Sequence, residues 1–502
     1  MNNKSLPKMQ TILFVPHMDT SFFEMLDIAI ALDEQKKYRA LVLIHWKKHY
    51  RTLEICKDRK LQVYLYGTEA ETPKKDSMVS ENKKFNSGER PGRIQSLTNW
   101  FVAQIKKLFF AQLLLYLVRF SRIQFDAISL LRKLQPECIL FMADRHVGIE
   151  TALISAANRK GIPSLIVPFA LSESSGLAEY RLAQPGWRKT YGMISRINRV
   201  ISRIRPEWVY NFEGNPLLWN TVPWLLAAEI LGLMPKNPWS LGGGKAWLMA
   251  VESEYNKNNF VDQGAPSRKM RITGKPRYDR AAQVWNTQKI IRQQICDSLG
   301  LDIEKPLIVC AVPHLAEHDL LPWPEHWREM EFLFDTFAQL QPDVNTVLSL
   351  HPKSEYEKYL PRAEKFNLII AQNISYDQLI PVCDIFVATH SSTVTLAIAA
   401  HKPTVIVDFY ELDYLLFNNV PGIEIIREHE NLLPMLERLF SDRDYYTQLV
   451  EGQAQAAKTW ARFDGKATKR ILDLIDDLVE QGKEIRKLPK RERRNMLPPW
   501  SQ

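Results

Sequence analysis

Hydroxyls and imidazoles gathered at three points in the second half of the chain are the residues best suited to hold a phosphate. The first point is DIFVATHSSTVTLAIAAHKPTVIVDF, Asp384 to Phe409. Its apolar runs Ile385–Ala388 and Pro403–Val407 predict strands, and the small residues Ser391–Ala400 predict a helix between them. His390, Ser391, Ser392 and Thr393 fall where that helix starts. Their hydroxyls and the unpaired backbone N–H groups converge at the positive end of a helix dipole, a corner that suits a phosphate or pyrophosphate. A plain capping role for Ser391 or Ser392 is the competing reading. The second point is His351-Pro352, after the apolar run Thr346–Leu350, and the third is His314, Glu317 and His318, after Leu307–Pro313. Both follow strands and so share one sheet edge. A lone histidine after a strand is most often structural, but two corners at one edge favour function. An imidazole and a helix N-terminus together can stabilise a leaving phosphate without a metal.

The elements that must position these groups alternate along the whole chain. Thr11–Pro16 predicts a buried strand, followed by a helix through HMDTSFFEMLDIAIALDEQ, and Ala40–His45 and Leu61–Leu65 continue the pattern. Glu69–Ser96 is polar and aperiodic, as expected of a surface loop. Trp100–Arg122 is the most apolar stretch, yet Gln104, Lys106, Lys107 and Gln112 interrupt it, so it predicts a buried helix or one lying in a membrane interface and not a membrane span. From Asp126 the alternation resumes, with a strand at Cys138–Ala143. Asp144, Arg145 and His146 then lie at its carboxyl end, the edge where open α/β sheets bind ligands. Between residues 179 and 244 the pattern changes. Arg196, Arg199 and Arg203 share one helical face, Ile194, Ile197, Ile201 and Ile204 another, and Trp208, Trp219, Trp224 and Trp239 follow. A cationic helix beside a tryptophan-rich segment reads as docking to an anionic membrane or lipid-linked substrate, against the plainer reading that Trp and Ile are core and the arginines a solvated face.

Length and composition agree with this layout. A chain of 502 residues exceeds one ordinary core, and 45% hydrophobic with 25% charged residues is ordinary for a globular protein. Five scattered cysteines without a C-x-x-C pair suit reduced core thiols. The N-terminus lacks a signal peptide, so the expected location is the cytoplasm. The net charge of +9 is modest, and between residues 179 and 244 no zinc finger, RNA-recognition signature or long basic run points to nucleic acid. The expected division is an α/β domain over residues 1–270 with an insertion near 179–244, a second α/β domain over 271–450, and a helix with a basic tail over 451–502.

Within this frame AVESEYNKNNFVDQGAPSRKMRITGKPRYD, Ala250 to Asp279, resembles the interdomain crossing of bacterial glycosyltransferase-B-fold enzymes. His351-Pro352 resembles the His-Pro motif of bacterial sialyltransferases, polysialyltransferases and related capsule and teichoic-acid polymerases, and His390-Ser391-Ser392-Thr393 resembles their Ser-Ser/Thr motif. The resemblance implies two Rossmann-like doubly wound domains facing a cleft, with His351, Pro352 and the Ser391–Thr393 hydroxyls holding the donor phosphate and His314 near them. It departs at the general base. Those sialyltransferases carry an acidic pair before Gly, whereas Phe212-Glu213-Gly214 has one carboxylate. The base is therefore open among Asp19, Asp144, Glu150 and Glu213, with Asp19 first because it follows the first strand.

The expected activity is transfer of a sugar or polyol phosphate, with no cofactor or metal, from a nucleotide-activated donor to a surface-polysaccharide or lipid-linked acceptor at the cytoplasmic membrane face of a bacterium. A UDP-sugar 2-epimerase is the first alternative, since Ala397–Val407 resembles that family's ending, although its Ser-Gly-Gly and His-Glu-Ala-Gly strings are absent. A non-catalytic scaffold of a polysaccharide assembly complex is the second.

Overall fold

The structure is a computed structural model that describes residues 9–17, 19–45, 49–67, 109–167, 174–318, 320–351, 354–389, 391–410, 415–495 and 498–499. Pro352, His390 and the polar stretch between Glu69 and Ser96 lie outside the described residues, as does the start of the apolar stretch before Phe109. The chain divides into two compact units. The first contains the residues up to Ala250, Asn258–Arg271 and the chain from Ile471 onward, and the second contains Val251–Lys257 and Ile272–Arg470. The stretch Ala250–Asp279 is thus where the chain passes from one unit to the other. Residues 451–502 do not form a third body. Ile471, Ile475, Leu478 and Val479 are buried in the core of the first unit, which draws the last long helix into it.

The first unit is built on strands β1 (Gln10–Val15), β2 (Tyr38–His45), β3 (Gln62–Tyr66), β4 (Cys138–Phe141), β5 (Ser164–Ile166), β8 (Leu248–Val251) and β9 (Met270–Ile272), in the order β3-β2-β1-β4-β5-β8-β9. The hairpin β6 (Val209–Phe212) and β7 (Asn215–Leu218) stands apart as its own small sheet. Strands such as ILFV and CILF are apolar on both faces because helices cover both sides of a parallel sheet. Ile12 pairs with Ala40 on one side and Cys138 on the other. Phe14, Phe22, Val42, Leu140 and Trp247 lie in its buried core. Each such side chain stabilises the fold by about 1.5–3 kcal/mol.

The second unit repeats the scheme with β10 (Leu307–Ala311), β11 (Asn345–Ser349), β12 (Ile369–Ile370), β13 (Ile385–Ala388), β14 (Thr404–Val407) and β15 (Ile423–Ile426), ordered β12-β11-β10-β13-β14-β15 and parallel throughout. Once the hairpin is set aside, both sheets begin with the Rossmann order 3-2-1-4-5-6. Each sheet therefore has a switch point beside its first strand, between β1 and β4 and between β10 and β13. All five cysteines are free and buried, as reduced core thiols should be. No described helix is long and apolar enough to cross a membrane.

Candidate active site

At the second switch point, strand order gathers the residues singled out in the sequence. His314 follows β10 and His351 follows β11, and their rings stack with centroids 4.0 Å apart and planes 12° from parallel. On the other side of β10, the turn after β13 carries Ser391, Ser392 and Thr393. The Ser391 and Thr393 hydroxyls are 2.7 Å apart, the Thr393 amide donates to Ser391 Oγ (3.3 Å), and Ser392 is exposed. The helix behind them is shorter than expected. It runs from Val394 to Ala399, Thr393 occupies its N-cap position without a side-chain capping bond, and Ala400 already leaves the helix. So short a helix supplies little dipole, and the anion-binding capacity of this corner rests on hydroxyls and imidazoles. Tyr278 anchors the helix through a 2.6 Å hydrogen bond with Thr395.

Glu317 turns inward. Its Oε1 accepts from Ser354 Oγ (2.8 Å) and Tyr359 OH (2.7 Å). Burial pushes its carboxyl up, but these bonds outweigh that and hold it below its ordinary value. Because Tyr359 donates to Glu317, it accepts from His326 Nε2–H (2.8 Å), which leaves Nδ1 of the buried His326 unprotonated. The network stiffens the loop after β10.

At the first switch point lies a cavity of about 660 Å³, lined by His17, His45, His49, Tyr66, His146 and Glu150 and walled by Arg119, Phe120, Ile123 and Asp126. His17 follows β1 and His146 follows β4, and their rings stack 5.4 Å apart. His17 Nδ1–H donates to Glu150 Oε1 (2.9 Å), so Glu150 fixes the ring and its tautomer. Burial pushes the Glu150 carboxyl up, yet the hydrogen bond from His17 outweighs it and keeps it below the ordinary value. Burial, with the positive charge of Arg145, pushes His146 down to about 4, so that ring is neutral at physiological pH. His49 Nδ1 accepts from the His45 amide (3.2 Å), and its Nε2–H donates to the His17 carbonyl (3.3 Å). A carboxylate bonded to Nδ1 orients an imidazole and raises its basicity, as a general base requires. His17, His45 and His49 were not among the residues expected from sequence, although His17 and His45 carry the same signal as His351, an imidazole at the carboxyl end of an apolar run.

The other carboxylates expected as bases have structural positions. Asp144 and its partner Lys269 are both inaccessible to solvent and ion-paired. Asp144 also accepts from the Gly242 amide (3.1 Å), and Lys269 donates to the Gly242 carbonyl (2.7 Å). The glycine run allows this approach, since a Cβ at Gly244 would stand 2.0 Å from the Asp144 carbonyl oxygen. An acceptor hydroxyl has no access there. Asp19 receives the Thr52 amide (2.9 Å) and hydroxyl (2.7 Å) and the Arg51 amide (3.3 Å), which caps the helix Tyr50–Asp58 from outside. Glu213, at φ 48°, and Gly214, at φ 76°, form the exposed tip of the β6–β7 hairpin. Of the four, Glu150 alone lines the cavity.

The tryptophans expected at a membrane surface are largely interior. Trp208, Trp219 and Trp239 are buried, and the Arg181 guanidinium lies 4.7 Å from the Trp219 ring and 4.8 Å from that of Trp239. Among the described residues no group of three or more His, Cys, Asp or Glu is placed to hold a metal ion. The chain's Asp-x-Asp triplet, Asp442-Arg443-Asp444, opens a helix, where Asp442 accepts the Tyr445 amide (3.0 Å).

No protein-family model and no curated protein matches the sequence. Solved structures do match. A UDP-GlcNAc 2-epimerase from Neisseria meningitidis, bound to UDP-GlcNAc, is 12% identical with a TM-score of 0.52 over 93% of this chain and 100% of its own. The wall teichoic acid polymerase TagF, soaked with CDPG, is 13% identical with a TM-score of 0.49 over 94% and 90%. A glycosyltransferase from Rickettsia africae is 11% identical with a TM-score of 0.46 over 94% and 99%. At such identities the likeness is one of fold, and the chain has the fold of glycosyltransferase-B-type enzymes, with two Rossmann-like units.

Proposed function

We propose that the protein is a transferase that moves a sugar or polyol phosphate from a nucleotide-activated donor to a hydroxyl acceptor in the assembly of a bacterial surface glycan. The observation that carries this reading is the stacked His314–His351 pair on one side of β10 with the Ser391–Thr393 hydroxyl turn on the other. Donors of this kind can bear the charge of a leaving phosphate. In such a transfer the acceptor hydroxyl gives its proton to a base, its oxygen bonds to the donor's anomeric carbon or phosphorus, the bond to the nucleotide phosphate oxygen breaks, and the negative charge departs with the nucleotide. The first unit's His17, held by Glu150, is a base of the kind this step needs. No metal enters this scheme.

A panel of nucleotide-linked donors tests it. Thermal unfolding is followed against UDP-, GDP-, CMP- and CDP-linked donors, where a ligand at about 100 times its dissociation constant adds roughly 2.7 kcal/mol. A shift with one nucleotide class that disappears in His351→Ala supports the site, and no shift with any donor removes it in favour of a scaffold. A UDP-sugar 2-epimerase is the second reading, since the fold shared with the Neisseria enzyme fits it equally. Incubation with the stabilising donor separates the two, because an epimerase returns a nucleotide sugar without an acceptor.

A further inference from the structure

The helix Phe109–Leu134 has two faces with opposite properties. Arg119, Phe120, Ile123 and Asp126 wall the histidine cavity. Phe110, Leu114, Val118 and Phe125 recur at helical spacing on the outside, with Phe110 80% and Phe125 70% exposed. The apolar surface continues onto neighbouring elements. Gln124 donates to the Leu231 carbonyl (3.2 Å), next in the chain to exposed Ile230, and Arg205, directly after the helix Arg196–Ile204, pairs with Glu229 (2.8 Å). That helix exposes Ile197, Val200 and Ile204 together with Arg196, Arg199 and Arg203, and contains no acidic residue. So large an exposed apolar face marks an interaction surface.

We propose that this face docks on an anionic lipid surface, with the aliphatic and aromatic side chains in the headgroup boundary and the arginines against lipid phosphates. Charge decides the occupant. In a two-fold pairing of this face with a second copy, the same arginines would meet each other, whereas an anionic bilayer supplies the opposite sign. A further consequence rests on the transferase reading: the acceptor of the histidine cavity is lipid-linked, because one helix both lines that cavity and carries the lipid-facing stripe.

The test is co-sedimentation of the full chain with phosphatidylcholine vesicles containing or lacking phosphatidylglycerol, at low and high salt. Partition to the anionic vesicles at low salt is expected, weakened by salt. The double variant F110D/F125D should lose at least tenfold in partition. R196E/R203E should lose at least 25-fold, at about fivefold for each charge near the surface. Both alter exposed side chains, so their unfolding temperatures should match the wild type. Wild-type protein left in the supernatant, or partition indifferent to both variants, overturns the proposal. So does a wild-type dimer that F110D/F125D converts to monomer without vesicle binding, which would assign the face to a second copy. Vesicle binding in a protein whose unfolding no nucleotide shifts would keep the docking surface and remove the transferase.

Discussion

The two Rossmann-like units share a strand order and differ in what they place at the switch point. In the second unit, two stacked imidazoles and a hydroxyl turn flank β10, and the nearby Glu317 is bonded into the Ser354–Tyr359–His326 network. That edge favours an anion. In the first unit, imidazoles at the ends of β1, β2 and β4 surround a cavity that includes a carboxylate, and Glu150 holds His17. That edge favours proton transfer. One strand order thus carries two different sets of side chains, because the strand ends set positions while the residues after them are free to differ.

The comparison extends to how the edges are held, and there the largest effect is expected. The loop after β4 depends on the buried Asp144–Lys269 pair, so Asp144→Ala should leave a buried uncompensated ammonium and lower unfolding free energy by about 3–5 kcal/mol, read by urea denaturation. Loss of a few tenths would show that the first edge is held by packing alone. Next come the chemical roles. His17→Ala and His351→Ala should each slow transfer by about two orders of magnitude, but only His351→Ala should also abolish the thermal shift given by the donor. Equal loss of donor binding in both would erase the distinction between the edges.

A smaller effect follows from the neutral His146. Its folded value near 4 lies below the ordinary 6.5, so the unfolded chain binds the extra proton between those values. Its contribution is complete above pH 6.5 and is lost progressively as pH falls towards 4. Thermal unfolding of His146→Gln across pH 4–7 should show a flatter profile than wild type, and an unchanged profile would deny the ring its buried neutral state. The smallest is Asp19→Ala, expected to cost about 1 kcal/mol as a lost helix cap with donor binding intact. A hundredfold loss of transfer would return Asp19 to the base.

Much of this was legible in the chain because parallel strands buried on both faces are written as continuous apolar runs, and histidines or hydroxyls directly after them must lie at a sheet edge. His314, His351 and Ser391–Thr393 were found that way. The first-unit cavity was read only in part. Glu150 is bonded to His17, 133 positions earlier in the chain, and nothing local in either neighbourhood announces the pair. The basic helix was legible from its period, but the tryptophans after it were misplaced, since aromatic content alone does not distinguish a lipid anchor from a stack around buried Arg181.

The sequence by itself determined the two α/β units, the strand-end imidazoles and hydroxyls of the second and the exposed arginines of the first, because strand burial, strand ends and helical period are local properties of the chain. Only the tertiary structure decided that Asp144 is a buried counter-ion, Asp19 a cap and Glu213 a hairpin tip, that the last helix returns to the first core, and that His17 rests on Glu150. Apart from the local turn at Glu213, each of these is a pairing between residues far apart in sequence. Such pairings are set by strand order and by the need to satisfy every buried charge, and neither is encoded in any one segment.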